Sequence, residues 1–457
     1  MKQDLTSGSI LKNLLRFSIP YLISCFLQTF YGLADLFVAG RFNGAETTTG
    51  ISVGSQLTHM LTVIIAGLVM GSTVLIASNI GAKKNREVGK AIGNTITIFI
   101  IFAVAATAVL IAVINPVLKV LSTPEEAMSE TYSYVLICFI GIPFITAYNV
   151  IAGIFRGMGD TKSPMIFVFI AGVINVVLDF LLIGPGRMGA AGAALATIIS
   201  QAISVLISVI FLARRRSELG LEKSDLKIDR SVFKKLFGVG FPIACQDGFV
   251  QVGFLVLTAI ANARGLESAA AVGIVEKVIC FVFLVPSAML STVSAIGAQN
   301  RGAGEDGRSI RTLGTAIAIC LGYALVIIAL CEIFPSQILS IFTKDQSVIP
   351  LGVQYIRSYI TDCFFSGVHF TLSGFFCAYN KAIYSFISNL ASIICVRIPG
   401  AYFASKLFAD TLFPMGMAAP AGSLLSSIIS GVMFIYLIKK VLKPKIRADR
   451  EHYSGSN

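Results

Sequence analysis

Twelve stretches of mostly apolar residues divide this chain: 14–40, 50–78, 91–113, 132–155, 164–183, 188–213, 236–261, 269–296, 310–334, 355–379, 382–403 and 415–441. About 20 such residues suffice to cross a bilayer as a helix, whereas a barrel strand needs only 9–11. Inside hydrocarbon every backbone group must be bonded internally, which leaves helices and closed barrels. The Val and Ile content would suit buried strands, but the run lengths select helices. Composition agrees. Hydrophobic residues make up 55% and charged residues 13%, about half the charge density of a soluble domain. The reading is an all-α polytopic membrane protein with twelve transmembrane helices.

Basic residues set the expected orientation. With the N-terminus inside, six alternate loops hold one each: Arg41, Lys119, Arg187, Arg264, Lys344 and Lys406. Lys277, Arg357 and Arg397 fall within spans, and the rest of the 36 lie on the other side. Both termini are therefore expected in the cytoplasm. The net charge of +12 is then a matter of topology, and no nucleic-acid partner is expected. The first apolar run is longer than a signal-peptide core of about 7–15 residues and reads as a retained span. The nine Cys lie in or beside apolar runs with no C-x-x-C pair, so they read as small apolar fillers.

The longest hydrophilic segment, 214–235, carries eight basic and four acidic residues. It divides the chain into an N-lobe (1–213, spans one to six), a cytoplasmic linker (214–235) and a C-lobe (236–457, spans seven to twelve). The halves match at an offset of about 221. Pro20 corresponds to Pro242, Asn79 and Gly81 to Asn300 and Gly302, Tyr134 to Tyr355, and Gly153 to Gly374. Six spans per half give both copies the same orientation. The architecture is thus two parallel-repeat six-helix bundles, a plan suited to alternating access.

Five of the 24 acids fall within spans: Asp35, Asp179, Asp247, Glu276 and Asp362. Ionisable groups at that depth are costly and are functional candidates by default. Asn175 and Asp179 share a helical face, four residues apart. With Asp35 and Thr197 they supply two carboxylates, an amide and a hydroxyl. Such a set suits Na⁺ as a metal site. A carboxylate pair in low dielectric equally suits a shared proton. The alternative is a structural hydrogen-bond cluster. In the second half, Asp247 with Gln251, and Asp362 with Ser366 and His369, are candidates for meeting a cationic substrate. Glu276 reads as a structural pair with its neighbour Lys277, and His59 as a packed polar residue. Phe364, Phe365, Phe370, Phe375, Phe376 and Tyr379 read as lipid contact or packing before a ligand wall. Gly67-x-x-x-Gly71 fits close helix packing. Pro20 should kink span one, as a gating element or an inert bend.

No G-x-x-x-x-G-K-[ST], H-E-x-x-H or G-x-S-x-G motif is present, which argues against an ATP-driven pump and a membrane enzyme. No cofactor is expected beyond a coupling ion.

Three local signatures carry a resemblance over essentially the whole chain. They are Asn79-Ile-Gly81-Ala-Lys-Lys, Gly153-Ile-Phe-Arg156-Gly-Met-Gly-Asp160-Thr-Lys-Ser-Pro164, and Gly-Ala-Gln-Asn300-Arg-Gly302-Ala-Gly. The chain resembles the multidrug and toxic compound extrusion (MATE) transporters, in the bacterial DinF/NorM-like branch. The resemblance implies a V-shaped pair of bundles in the bacterial inner membrane. It implies an antiporter that exports cationic or amphipathic organic compounds in exchange for Na⁺ or H⁺. It places Asp35, Asn175, Asp179 and Thr197 at the family's cation site and Pro20 at its gating bend. Asp247 and Asp362 match the second-lobe acids approximately. Ala152 stands near the place of a span-four Asn, with Asn149 one turn earlier. The runner-up is a flippase for lipids or lipid-linked oligosaccharides. A monomer in contact with membrane lipid is the expected state.

Overall fold

The computed structural model describes residues 4–120, 123–214 and 220–442, and every regular element among them is helical. Two compact units result, one formed by Arg16–Ala244 and the other by Leu5–Leu15 with the chain from Cys245 onward. By packing, the division between these units falls between Ala244 and Cys245. Residues 215–219 of the hydrophilic segment 214–235 lie outside the described residues.

The first unit contains α1 (Ile10–Phe42) from Arg16 onward, α2 (Ala45–Gly81), α3 (Asn85–Ala112), α4 (Met128–Ile140), α5 (Ile142–Gly157), α6 (Lys162–Ile183) and α7 (Gly189–Arg214). It also takes α8 (Arg230–Asn262) as far as Ala244. α4 and α5 form one span bent by 51°. The bend sits at Gly141, and Pro143 in the first turn of α5 lacks the N–H that the Phe139 carbonyl would otherwise accept from. α1 runs through Pro20 without a break. The expected kink is thus no interruption, although Pro20 still leaves the Arg16 carbonyl without its helical donor.

The second unit contains the rest of α8, then α9 (Leu266–Val282), α10 (Leu284–Gly302), α11 (Asp306–Ile333), α12 (Val348–Tyr359), α13 (Asp362–Ala378), α14 (Ala382–Ser392), α15 (Ile398–Leu407) and α16 (Ala418–Leu437). A π-helical turn, Ile393–Arg397, joins α14 to α15. Among the described residues ten helices are long and apolar enough to cross a membrane, and the bent α4–α5 pair makes eleven. The remaining expected span, the tenth (355–379), is helical but broken into α12 and α13 and is not among those that pass that test. Its polarity has a reason: 13 of the 17 residues of α13 are buried inside the unit, and an inward-facing helix need not be apolar.

Small residues set the closest helix contacts. A Cβ on Gly71 would overlap the carbonyl oxygen of Leu236, and one on Gly240 would overlap that of Leu68. α2 and the first turns of α8 therefore meet backbone to backbone, as small-x-x-x-small packing allows. Gly71→Val is expected to lower stability by about 1–3 kcal/mol, read as a lowered melting temperature. Gly238 has nothing within 4 Å of its Cβ position, so Gly238→Ala should not lower it.

The segment before α8 is clamped to the start of α3. Asp225, 3% exposed, accepts from Arg86 at 2.6 and 2.7 Å. Lys90 pairs with Asp229 at 2.7 Å, and Asn94 donates to the Asp225 carbonyl and accepts from the Asp229 N–H. The Lys90 hydrogen bond, then the Ser231 and Val232 N–H groups, hold the Asp229 carboxyl below its usual range. The same pairing raises Lys90. A depressed acid stabilises above its unfolded pKa of about 3.9, and a raised Lys below its unfolded value of about 10.4. Proteolysis within 220–229 should be slow between those limits. It should quicken as pH falls through the folded Asp229 value, and Asp229→Asn should remove that acid limb.

Candidate functional site

Asp35 stands two turns from the C-terminal end of α1, Asn175 and Asp179 on one face of α6, and Thr197 in the third turn of α7. The fold brings all four together in the first unit. Asn175 and Asp179 are fully buried, and Asp35 and Thr197 nearly so. Small residues of α7, Ala190, Ala193 and Ala194, share one core cluster with Val38, Ala39 and Ile183. Those alanines let α6 and α7 approach closely.

The hydrogen bonds run one way. Asn175 Nδ2 donates to Thr197 Oγ1 at 3.4 Å, and Thr197 Oγ1 donates to Asp35 Oδ2 at 3.3 Å. The Asp35 and Asp179 carboxyl groups face each other within hydrogen-bonding reach. Four buried oxygens then have no donor: Asp35 Oδ1, Asn175 Oδ1 and both carboxylate oxygens of Asp179. Buried acceptors without partners are costly, and a bound proton or cation would relieve that cost. Its donor set fits a hard cation, which prefers oxygen ligands. Among the described residues no group of three or more His, Cys, Asp or Glu could hold a metal ion.

Sequence reasoning missed two neighbours. Tyr134, buried on α4, lies within electrostatic reach of both acids, and Tyr31 within reach of Asp35. Tyr31 was detectable as one turn before Asp35 on α1. Tyr134 carries only the repeat match in the sequence, because nothing there says that α4 packs here. Asn149 donates back to the Ile145 carbonyl at 2.9 Å, a bond internal to α5.

The second-half candidates do not form one site. Asp362 Oδ2 accepts from Arg397 at 2.7 Å, and Arg397 also donates to Ser423 at 3.0 Å. Asp362 is therefore held in a buried ion pair. His369 Nδ1 bonds Ser426 at 2.9 Å. Asp247 lies near Cys377 at the other end of α13. The 15 residues between Asp362 and Cys377 span about 22 Å of helix. No hydrogen bond joins Gln251 to Asp247 among the described residues; both are half-buried. Among the described residues no ion pair joins Glu276 to Lys277, contrary to expectation. Neighbours in a helix point about 100° apart, and Lys277 faces outward while Glu276 accepts from Thr258 at 3.4 Å. His59 is exposed on α2 rather than packed. Phe375 and Phe376 are fully buried, which makes that part of the aromatic stripe core.

An amide at position 179 would give the acceptor-rich cluster two donors. Asp179→Asn is therefore expected to raise stability by about 1–3 kcal/mol, measured as the melting temperature in detergent without Na⁺ near neutral pH. Asp179→Leu, which supplies no donor, is expected to give a smaller gain or a loss.

The MatE family model matches the chain twice, over residues 20–181 and 242–403. The two matches start at Pro20 and Pro242, the pair that anchors the internal repeat. A probable multidrug resistance protein, YoeA of Bacillus subtilis, is 25% identical over 447 residues, 96% of each chain. A FAD transporter of Shewanella oneidensis is 25% identical over 457 residues, 97% of each. A MATE transporter solved in a bent conformation superposes with a TM-score of 0.89 at 21% identity, covering 97% of this chain and 98% of that one. That likeness establishes the fold. The paired matches take in most of the sequence, so the chain belongs to the MatE family and is a multi-pass membrane transporter, not an enzyme.

Proposed function

We propose that this transporter is a secondary antiporter that exports cationic or amphipathic organic compounds in exchange for Na⁺ or H⁺. The observation that carries the reading is the buried cluster of Asp35, Asn175, Asp179 and Thr197, with four oxygens lacking donors. A cation or proton bound there stabilises the arrangement of helices that brings α1, α6 and α7 together. Cargo is released when the two arrangements differ in affinity for it, since only differential binding shifts such an equilibrium. The names of the bacterial relatives as multidrug resistance proteins support organic compounds as cargo. Pro20, inside α1 between the helix start and Asp35, is the proposed flexing point. The second-unit acids enter this scheme less directly, because Asp362 already has a cation in Arg397.

The test is exchange in reconstituted vesicles loaded with ethidium. A Na⁺ pulse at clamped pH and a pH step without Na⁺ are applied separately. At least one should drive ethidium efflux, and Asp35→Asn should abolish the driven component while the protein stays folded. Efflux indifferent to both gradients would overturn antiport.

A further inference from the structure

A second polar feature of the first unit plays no part in the acid cluster. Arg156, near the end of α5, is 9% exposed. Its guanidinium carbon stands 5.1 Å from the centroid of the Tyr21 ring on α1. Its Nε is buried and has no hydrogen-bond partner. No carboxylate pairs with it among the described residues, although Arg86, Lys90, Arg357 and Arg397 all have one. A buried guanidinium left without a counter-charge is costly. Tyr148, two turns earlier on α5, and Cys25 lie within its electrostatic reach. Tyr148 accepts from Gln28 at 3.1 Å.

Tyr21, Cys25, Gln28 and Tyr148 are only half-buried, so this polar strip opens at the surface of the unit. Hydroxyl and amide groups facing hydrocarbon would lack partners; such a strip suits water and cargo. A guanidinium is a planar fork that matches carboxylate or phosphate oxygens two at a time. A phenol ring beside it offers a face for a flat aromatic molecule.

We propose that Arg156, with Tyr21 and Tyr148, forms an oxyanion-recognition subsite that takes the carboxylate of a flat aromatic cargo. The proposal deepens the export reading and rests on it. Tyr21 and Asp35 are 14 residues apart on α1, about 21 Å, so the anion subsite and the acid cluster are separate. A zwitterionic cargo can occupy the one without displacing the coupling cation from the other.

Rhodamine 123 and rhodamine 110 share a ring system and differ in one group, a methyl ester against a free carboxylate. Their binding to the purified full-length protein is measured by fluorescence polarisation, in detergent and in nanodiscs with and without phosphatidylglycerol. Arg156→Gln should weaken rhodamine 110 by about tenfold or more, equivalent to about 1.4 kcal/mol, and rhodamine 123 by less than about twofold. Arg156→Lys keeps the charge and loses the fork, so it should fall between. Tyr148→Phe, which keeps the ring, should also weaken rhodamine 110 selectively and serves if Arg156→Gln does not fold. Equal loss of both dyes, or loss of neither, overturns the subsite. A lipid phosphate as the occupant would instead leave rhodamine 110 unchanged in Arg156→Gln while removing stabilisation by phosphatidylglycerol, and that too overturns it. Wild-type protein that binds neither dye would count against organic cargo itself, a failure distinct from insensitivity to position 156.

Discussion

A helix in a bilayer can satisfy all its backbone groups by itself, but it cannot satisfy a carboxylate. Every buried acid must find a donor or cation on another helix, and the polar architecture of this transporter follows from how each one does. Asp225, at the end of the segment before α8, takes Arg86. Asp362 takes Arg397. Asp306 accepts from the Tyr379 hydroxyl at 2.7 Å. Asp35 and Asp179 take each other and are left short of donors. That imbalance, in a fold otherwise closely packed, sets the first unit's buried acids apart from the paired ones.

The two repeats share a topology and differ in this chemistry. α6 carries Asn175 and Asp179. The corresponding segment of the second repeat, α14 to α15, carries no acid and instead supplies Arg397 at the end of a π-helical turn. Asp362 in the second unit thus has a guanidinium against it, whereas the Asp35–Asp179 cluster of the first has no cationic side chain bonded to it among the described residues. Sequence symmetry of the repeat is preserved in Pro20 and Pro242 and in the paired family matches; the placement of buried charge is not. Arg156 adds a second asymmetry, because Cys377 stands near its place in the other half and brings no charge.

Much of the candidate site was legible because its signal is local. Acids in apolar runs stand out at once, and the i, i+4 spacing of Asn175 and Asp179 fixes their common face. Pairings across helices were not legible in the same way. Glu276 and Lys277 are adjacent in sequence but point apart, and Arg397 meets Asp362 across 35 residues of chain. Charge density marks 214–235 as a linker but does not reveal that Asp225 and Asp229 are bound to α3.

The membrane class, the helical spans, the repeat and the identity of the buried acids are all written in the linear order of residues. Length, periodicity and the cost of charge in hydrocarbon act along one segment at a time. Only the tertiary structure decided which acids lack a partner, why the tenth span is polar and broken, and where the units divide. Those outcomes depend on which faces of distant helices meet, and side-chain direction within a packed bundle is set by the neighbours, not by the segment that carries the residue.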